Sequence, residues 1–161
     1  MVYKIYTDGA ASGNGKADCI AGWAYVVLDE NNNKIAESSG AILNGTNNIG
    51  ELTAIIESLY YIKMSIDDNP MNTYLIHSDS AYCINGITSW RHNWKRNDWW
   101  RDKGQTQELK NRELWIELDS LIDPVKMRFI KVKGHADNNF NNYVDKLAVL
   151  AVKEAKENEE S

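Results

Sequence analysis

Strand-like apolar runs and apolar stripes at helical spacing follow one another along this chain in an order that restricts its possible folds. The first part of the sequence contains three strand-like apolar runs separated by polar turns, at residues 2–7, 20–28 and 34–43. Short turns between successive strands are typical of an antiparallel meander. Two further strand-like runs, residues 73–77 and 125–132, lie between segments with helical spacing. This order predicts an α/β fold in which helices pack on a mixed sheet.

Apolar residues at helical spacing indicate where the helices lie. One apolar stripe extends over residues 52–62 and a second over residues 114–122. A short helix that begins at Ser78 or Asp79 and continues through Ile84 is predicted directly after a strand, and a last helix is predicted at residues 144–155. The charged tail, residues 153–161, is expected to fray because it has no apolar face to bury.

Length and composition are those of one globular domain, residues 1–161. No apolar run approaches the roughly 20 residues that cross a bilayer, so no membrane partner is expected. Cys19 and Cys83 lack metal-site spacing, which predicts free thiols in a reducing, cytoplasmic setting. The formal net charge of −5 argues weakly against nucleic-acid binding, although phosphate binding depends on where the positive charge lies.

Four acidic residues, Asp8, Glu51, Asp79 and Asp145, stand where predicted strands or helices begin or end. Asp8 and Asp79 follow strands, and ligands of such sheets gather outside the carboxyl ends of the strands. Each has an ordinary alternative role, Asp8 in a turn and Asp79 as a helix cap. Glu51 and Asp145 instead extend apolar helix faces, where a carboxylate is costly unless it is paired or binds a metal.

Two acids at strand ends and two at helix starts can meet on one rim of the core. Carboxylates that converge repel one another, and a hard divalent cation with oxygen ligands relieves this repulsion. Two such cations about 3.5–4 Å apart can support in-line displacement at phosphorus. The acidic residues therefore predict a divalent-cation site suited to phosphoryl chemistry.

Five short motifs occur in the order that one enzyme family has them. They are Thr7-Asp8-Gly9-Ala10, Thr46-Asn47-Asn48 followed by Glu51-Leu52, Ser78-Asp79-Ser80, Lys133-Gly134-His135, and Asn141 followed by Val144-Asp145-Lys146-Leu147-Ala148. Over nearly its whole length the chain resembles the type 1 ribonucleases H of the bacterial kind. The resemblance implies a ribonuclease H-like α/β fold with a five-stranded mixed sheet, an antiparallel meander and then parallel strands, flanked by helices.

The same resemblance implies a reaction and its machinery. The expected enzyme is an endonuclease that cuts the RNA strand of RNA–DNA hybrids with two Mg²⁺ ions, Mn²⁺ being a possible substitute, and leaves 5′-phosphate and 3′-hydroxyl ends. Asp8, Glu51, Asp79 and Asp145 fall on the catalytic, metal-binding positions of the family. His135 falls on its catalytic histidine, whose near-neutral pKa suits proton transfer or help in product release. The expected state is a monomer.

Substrate contacts are also implied by the resemblance. Asn14, Asn47 and Asn48 match contacts to the RNA strand, whereas Thr46 and Asn111 match a pocket for a DNA phosphate. A tryptophan-rich basic segment resembles the protrusion with which many ribonucleases H grip the DNA strand; its candidate contacts are Trp90, Trp94, Lys95, Arg96 and Trp99. Ordinary alternatives are turn chemistry for the asparagines and core packing for Trp90 and Trp94, which are four residues apart.

Two other functions fit parts of this pattern. One is a different nuclease on the same fold, such as a junction resolvase, since a fold does not determine a function. The other is a non-catalytic module that binds hybrids, although such a module has no need for four acids facing phosphates. The choice of nucleic-acid substrate discriminates the first alternative, and Mg²⁺-dependent cleavage discriminates the second.

Overall fold

A computed structural model of the protein describes residues 1–13, 19–133 and 139–160. Its strands are β1 (Val2–Ser12), β2 (Ile20–Leu28), β3 (Lys34–Leu43), β4 (Thr73–Ser78) and β5 (Met127–Lys131). They form one sheet in the order β3-β2-β1-β4-β5. β1, β2 and β3 pair antiparallel, whereas β1, β4 and β5 pair parallel. The predicted five-stranded mixed sheet is therefore confirmed.

The helices are α1 (Asn47–Ser65), α2 (Ala81–Asn85), α3 (Arg91–Arg96), α4 (Arg112–Leu121) and α5 (Asn139–Glu160). A π-helical turn, Gly86–Trp90, joins α2 to α3 without a break in the helical backbone. Such wide turns are rare and often lie at functional sites.

Side-chain alternation along the strands divides the core between the two faces of the sheet. Ile5 and Val27 pack on one face with α1, α2 and α4, in the cluster that includes Ile55. Tyr6 and Val26, the neighbouring residues, pack on the other face with Val144 of α5. The sheet thus lies between two helical layers, and residues from both layers reach its carboxyl-end rim.

Several element boundaries differ from those predicted. β1 continues to Ser12, beyond the predicted end at Thr7, because its small residues pair with β2 as far as Ser12 and Ile20. α2 begins after Ser80, whose hydroxyl accepts a hydrogen bond from Cys83 N–H, so Asp79 is not the helix cap. β5 begins at Met127 because residues 123–126 form a turn.

The tail after Val152 is helical in the structure as far as Glu160, although it was predicted to fray. Lysine and glutamate are good helix formers, and they continue a helix that is already held by buried Ala151 and Val152. None of the described helices is both long enough and apolar enough to cross a membrane.

Candidate active site

The divergence of two parallel strands opens the candidate site. Pairing between β1 and β4 ends at Tyr6 and His77. Asp8 and Asp79 lie just past that point, on the two sides of the opening. The prediction that Asp8 lies just past the end of its strand was wrong, because β1 continues beside β2 and Asp8 pairs there with Ala24. What ends at this point is the parallel pairing, and this is why both acids face the same rim.

The first turns of α1 press against β1 and β2 and carry Glu51 to the rim. Gly9 and Gly50 allow the close approach. A Cβ atom added to Gly9 would lie 2.4 Å from the backbone nitrogen of Glu51, and one added to Gly50 would lie 2.5 Å from the carbonyl oxygen of Gly22. Glu51 is only 5% exposed in this position.

Three of the predicted acids meet as a cluster with the geometry of a cation site. Asp8, Glu51 and Asp79 each offer a carboxylate oxygen, and these oxygens lie within 4.8 Å of one another. Asp145, near the start of α5, lines the same open cleft of about 410 Å³. Asn47 and Asn48, both exposed, also line this cleft. The structure thus brings the four acids and two of the predicted asparagines together.

The electrostatics of this cluster favour a bound cation. Burial, followed by the charges of Glu51 and Asp79, raises the pKa of Asp8 to about 10. Burial and then the charge of Asp79 raise the pKa of Glu51 to about 8. The Oε2 atom of Glu51 is buried and has no hydrogen-bond partner among the described residues. An all-oxygen donor set with an unsatisfied buried carboxylate fits a hard divalent cation.

Without a divalent cation, the protein should lose stability as the pH rises from about 5 to 9. In the folded protein the pKa values of Asp8 and Glu51 are about 10 and about 8, so both groups keep their protons well above neutral pH or close to it. In the unfolded chain both release their protons at about pH 4. The stability from these protonated groups is therefore complete below about pH 4 and is lost as the pH rises through the folded-state values.

We expect the Tm in EDTA to fall by at least about 10 °C between pH 5 and pH 9, measured by circular dichroism, because each proton held only by the folded state corresponds to about 1.4 kcal/mol per pH unit. Added Mg²⁺ should reverse most of this fall, since it binds the ionised carboxylates. Asp8→Asn, which removes one titrating group, should flatten the pH dependence. A Tm in EDTA that rises over this range would contradict the assignment.

Two residues predicted to hold a DNA phosphate have defined roles in the fold. The Thr46 hydroxyl caps α1 and accepts a hydrogen bond from Ile49 N–H at 3.3 Å. Asn111 precedes α4 with a positive φ of 59°, a conformation that asparagine tolerates better than most residues. Its Nδ2 donates to the hydroxyl of Tyr82 at 3.1 Å.

The tryptophan-rich segment is partly core and partly surface. Trp94 is half-buried and packs edge-on against buried Trp115, with ring centroids 5.1 Å apart. Trp99 also packs against the core, whereas Trp90 is 42% exposed. Trp94 therefore packs in the core, as the alternative to substrate contact had it, and Trp90 is the more accessible of the two.

Lys95 and Arg96 remain at the surface, whereas the side chain of Arg91 is mostly buried in an ion pair with Asp119. Lys95 pairs with Asp119 at 2.9 Å, yet its side chain is 61% exposed. Arg96 is also exposed and donates a hydrogen bond to Oδ1 of Asn93. A cavity of about 420 Å³ is lined by residues of this region; they are Tyr82, Trp90, Trp94, Arg101, Glu108, Leu109 and Lys110.

Tyr82 lines both this cavity and the acidic cleft, and it is a site residue that the sequence did not predict. Its position three residues after Asp79 on a predicted helix is the signal that could have indicated it. Asn14 and His135, two other predicted site residues, lie outside the described residues.

Comparisons with known proteins agree with this geometry. The family model described as RNase H matches residues 2–153. A ribonuclease H of Clostridium botulinum is 43% identical over 151 residues, which cover 93% of this chain and 95% of that protein. A ribonuclease H of Treponema denticola is 40% identical over 160 residues, which cover 94% of this chain and 97% of that protein.

Solved structures share the fold. LC9-RNase H1, described as a type 1 RNase H with the type 2 active-site motif, is 25% identical with a TM-score of 0.79, over 94% of this chain and 72% of that one. LC11-RNase H1 in complex with an RNA/DNA hybrid is 23% identical with a TM-score of 0.69, over 95% of this chain and 98% of that one. With the acidic cleft in place at the carboxyl-end rim, the chain belongs to the ribonuclease H family and is an enzyme of the type 1 class.

Proposed function

We propose that this enzyme cuts the RNA strand of RNA–DNA hybrids internally and leaves 5′-phosphate and 3′-hydroxyl ends. The observation that carries the proposal is the cluster of Asp8, Glu51 and Asp79 oxygens within 4.8 Å of one another, with Asp145 in the same cleft. Its relatives named ribonuclease H and the hybrid bound to LC11-RNase H1 support the choice of substrate.

We assign two Mg²⁺ ions to the four acids. When bound, such ions supply Lewis-acid stabilisation of the charge that develops on the phosphate during in-line displacement. Asp8 is buried, and its carboxylate is oriented by a hydrogen bond from Gly9 N–H at 2.9 Å. The buried Oε2 of Glu51 has no competing hydrogen bond within the described structure, so it is available as a ligand. Carboxylate oxygens without sulfur or imidazole favour Mg²⁺ and also accommodate Mn²⁺.

The assigned roles of the other residues complete the active site. His135 transfers protons or assists product release. Asn14, Asn47 and Asn48 contact the RNA strand near the cut, where the 2′-hydroxyls distinguish RNA from DNA. The exposed positions of Asn47 and Asn48 in the acidic cleft support this role.

The DNA strand binds on the side of the cleft towards the tryptophan-rich segment. Thr46 and Asn111 hold one of its phosphates. Its backbone continues along Trp90, Trp94, Lys95, Arg96 and Trp99. Exposed Lys95 and Arg96 offer positive charge in a protein whose net charge is −5, and this local charge supports the assignment.

The enzyme acts as a monomer in the cytoplasm. Cys19 and Cys83 are both free and buried, and thiols of this kind persist in a reducing compartment. Light scattering on the purified protein measures the oligomeric state, and a stable dimer would contradict this assignment.

Cleavage of matched end-labelled substrates tests the function. We expect Mg²⁺-dependent internal cuts in the RNA strand of a hybrid, and none in duplex RNA, duplex DNA or either single strand. EDTA should abolish the cuts, and the products should carry 5′-phosphate and 3′-hydroxyl ends. Cleavage of duplex or branched DNA with the hybrid left intact would instead identify a different nuclease.

A further inference from the structure

Tyr82 lines both the acidic cleft and the tryptophan-lined cavity, and its hydroxyl joins two other side chains. The hydroxyl accepts two hydrogen bonds, from Asn111 Nδ2 at 3.1 Å and from the indole Nε1 of Trp115 at 3.0 Å. Trp115 is fully buried in the core, and its ring meets the Tyr82 ring edge-on at 5.6 Å. The Tyr82 hydroxyl is therefore held in place from the core side, and it in turn holds the Asn111 amide.

We propose that Tyr82 is a positioning residue that acts through Asn111 on the DNA strand of the substrate. An asparagine amide has two N–H donors and one carbonyl acceptor. Because the Tyr82 hydroxyl accepts from Nδ2, the orientation of the amide is set and its second N–H is left for a phosphate oxygen. This inference rests on the proposed function, in which Asn111 contacts a phosphate.

The backbone conformation of Asn111 explains why the hydrogen bond to Tyr82 is needed to orient the amide. Its φ of 59° places it outside the helix that follows, and its side chain makes no capping hydrogen bond to α4. An amide that is free to rotate loses conformational entropy when it binds, and a preorganised one has already lost it. The Tyr82 hydroxyl thus lowers the entropic cost of phosphate binding.

A purely structural role is the competing explanation, and the chain contains a matched control for it. Tyr74 accepts a hydrogen bond from Asn72 Nδ2 at 3.2 Å, in a tyrosine–asparagine pair with the same hydrogen bond that is buried rather than half-buried. Tyr74 lies at the start of β4, whereas Asp79 follows the other end of that strand. Removing the Tyr74 hydroxyl should therefore reduce stability without affecting substrate binding.

The experiment measures KM and kcat for hybrid cleavage, and the Tm, in Tyr82→Phe, Asn111→Gly, the double variant and Tyr74→Phe. Glycine at 111 removes the amide and suits the positive φ. We expect Tyr82→Phe to raise KM about five-fold with kcat within about two-fold of wild type, the loss that one net hydrogen bond implies. Tyr74→Phe should leave KM unchanged, and the double variant should match Asn111→Gly within about two-fold.

Two results would overturn the inference alone, given normal cleavage by the wild type. One is an unchanged KM in Tyr82→Phe. The other is a double variant in which the two effects multiply, because independent contributions exclude action through Asn111. Failure of the wild type to cut hybrids would overturn the proposed function together with this inference.

A measurement on the wild type keeps the inference testable if Tyr82→Phe does not fold. Nuclear magnetic resonance should show two distinct Nδ2 protons for Asn111, one of them protected from solvent exchange by its bond to Tyr82. Equal exchange of both protons would overturn the inference.

Discussion

Replacing Asp8 with Asn should lower kcat for Mg²⁺-dependent cleavage of an RNA–DNA hybrid by about a thousand-fold or more. Asparagine has nearly the same shape, and its Oδ1 can keep the hydrogen bond from Gly9 N–H. It lacks the negative charge that a hard divalent cation needs. A loss of about 4 kcal/mol of transition-state stabilisation, within the several kcal/mol that metal ions supply, corresponds to this factor.

Binding and a control variant separate this loss of chemistry from other causes. The Asp8→Asn enzyme should bind hybrid with a Kd within a few-fold of wild type, because the proposed phosphate and sugar contacts are unchanged. Asp68→Asn is the matched control, since Asp68 is an exposed acid that pairs with Lys126. It should leave kcat unchanged. Persistent Mg²⁺-dependent cleavage by purified Asp8→Asn would refute the metal-site model.

Much of the fold could be predicted because periodicity reports directly which side of an element is buried. The continuous apolar run of β2 and the helical stripe of α1 correspond to residues that are buried in the structure, such as Val27 and Ile55. The acids at the rim could be anticipated for the same reason. Glu51 extends a buried helix face, and a carboxylate in that position requires a partner.

Other features depend on tertiary contacts that leave little trace in the sequence. The segment Gly9–Ser12 has the small residues of a loop, yet it forms strand because β2 supplies hydrogen-bonding partners. The Tyr82 hydroxyl accepts hydrogen bonds from Asn111 and Trp115, which lie 29 and 33 residues further along the chain. The raised pKa of Asp8 requires both burial and neighbouring charges, and these exist only after folding.

Gly9 is the position at which an added methyl group should damage both stability and activity. A Cβ atom there would lie 2.4 Å from the nitrogen and 2.9 Å from the Cα of Glu51, and 2.6 Å from the carbonyl carbon of Gly50. All three are backbone atoms, so a side-chain rotation cannot relieve the contact. The start of α1 has to move away from β1, and Glu51 moves with it.

We therefore expect Gly9→Ala to lower the Tm by roughly 5–10 °C, the range for an overpacked site of about 3 kcal/mol in a domain of this size. A displacement of about 1 Å in a catalytic group can cost about a hundred-fold in rate, so kcat should fall by at least that factor. Gly104→Ala is the control, because the nearest atoms to its added Cβ lie 3.6 and 3.8 Å away. Melting curves and single-turnover cleavage measure the two effects separately. If Gly9→Ala kept the wild-type kcat, the close contact between β1 and α1 would not be what positions Glu51, and the rim would have to be held by α5 and β4 instead.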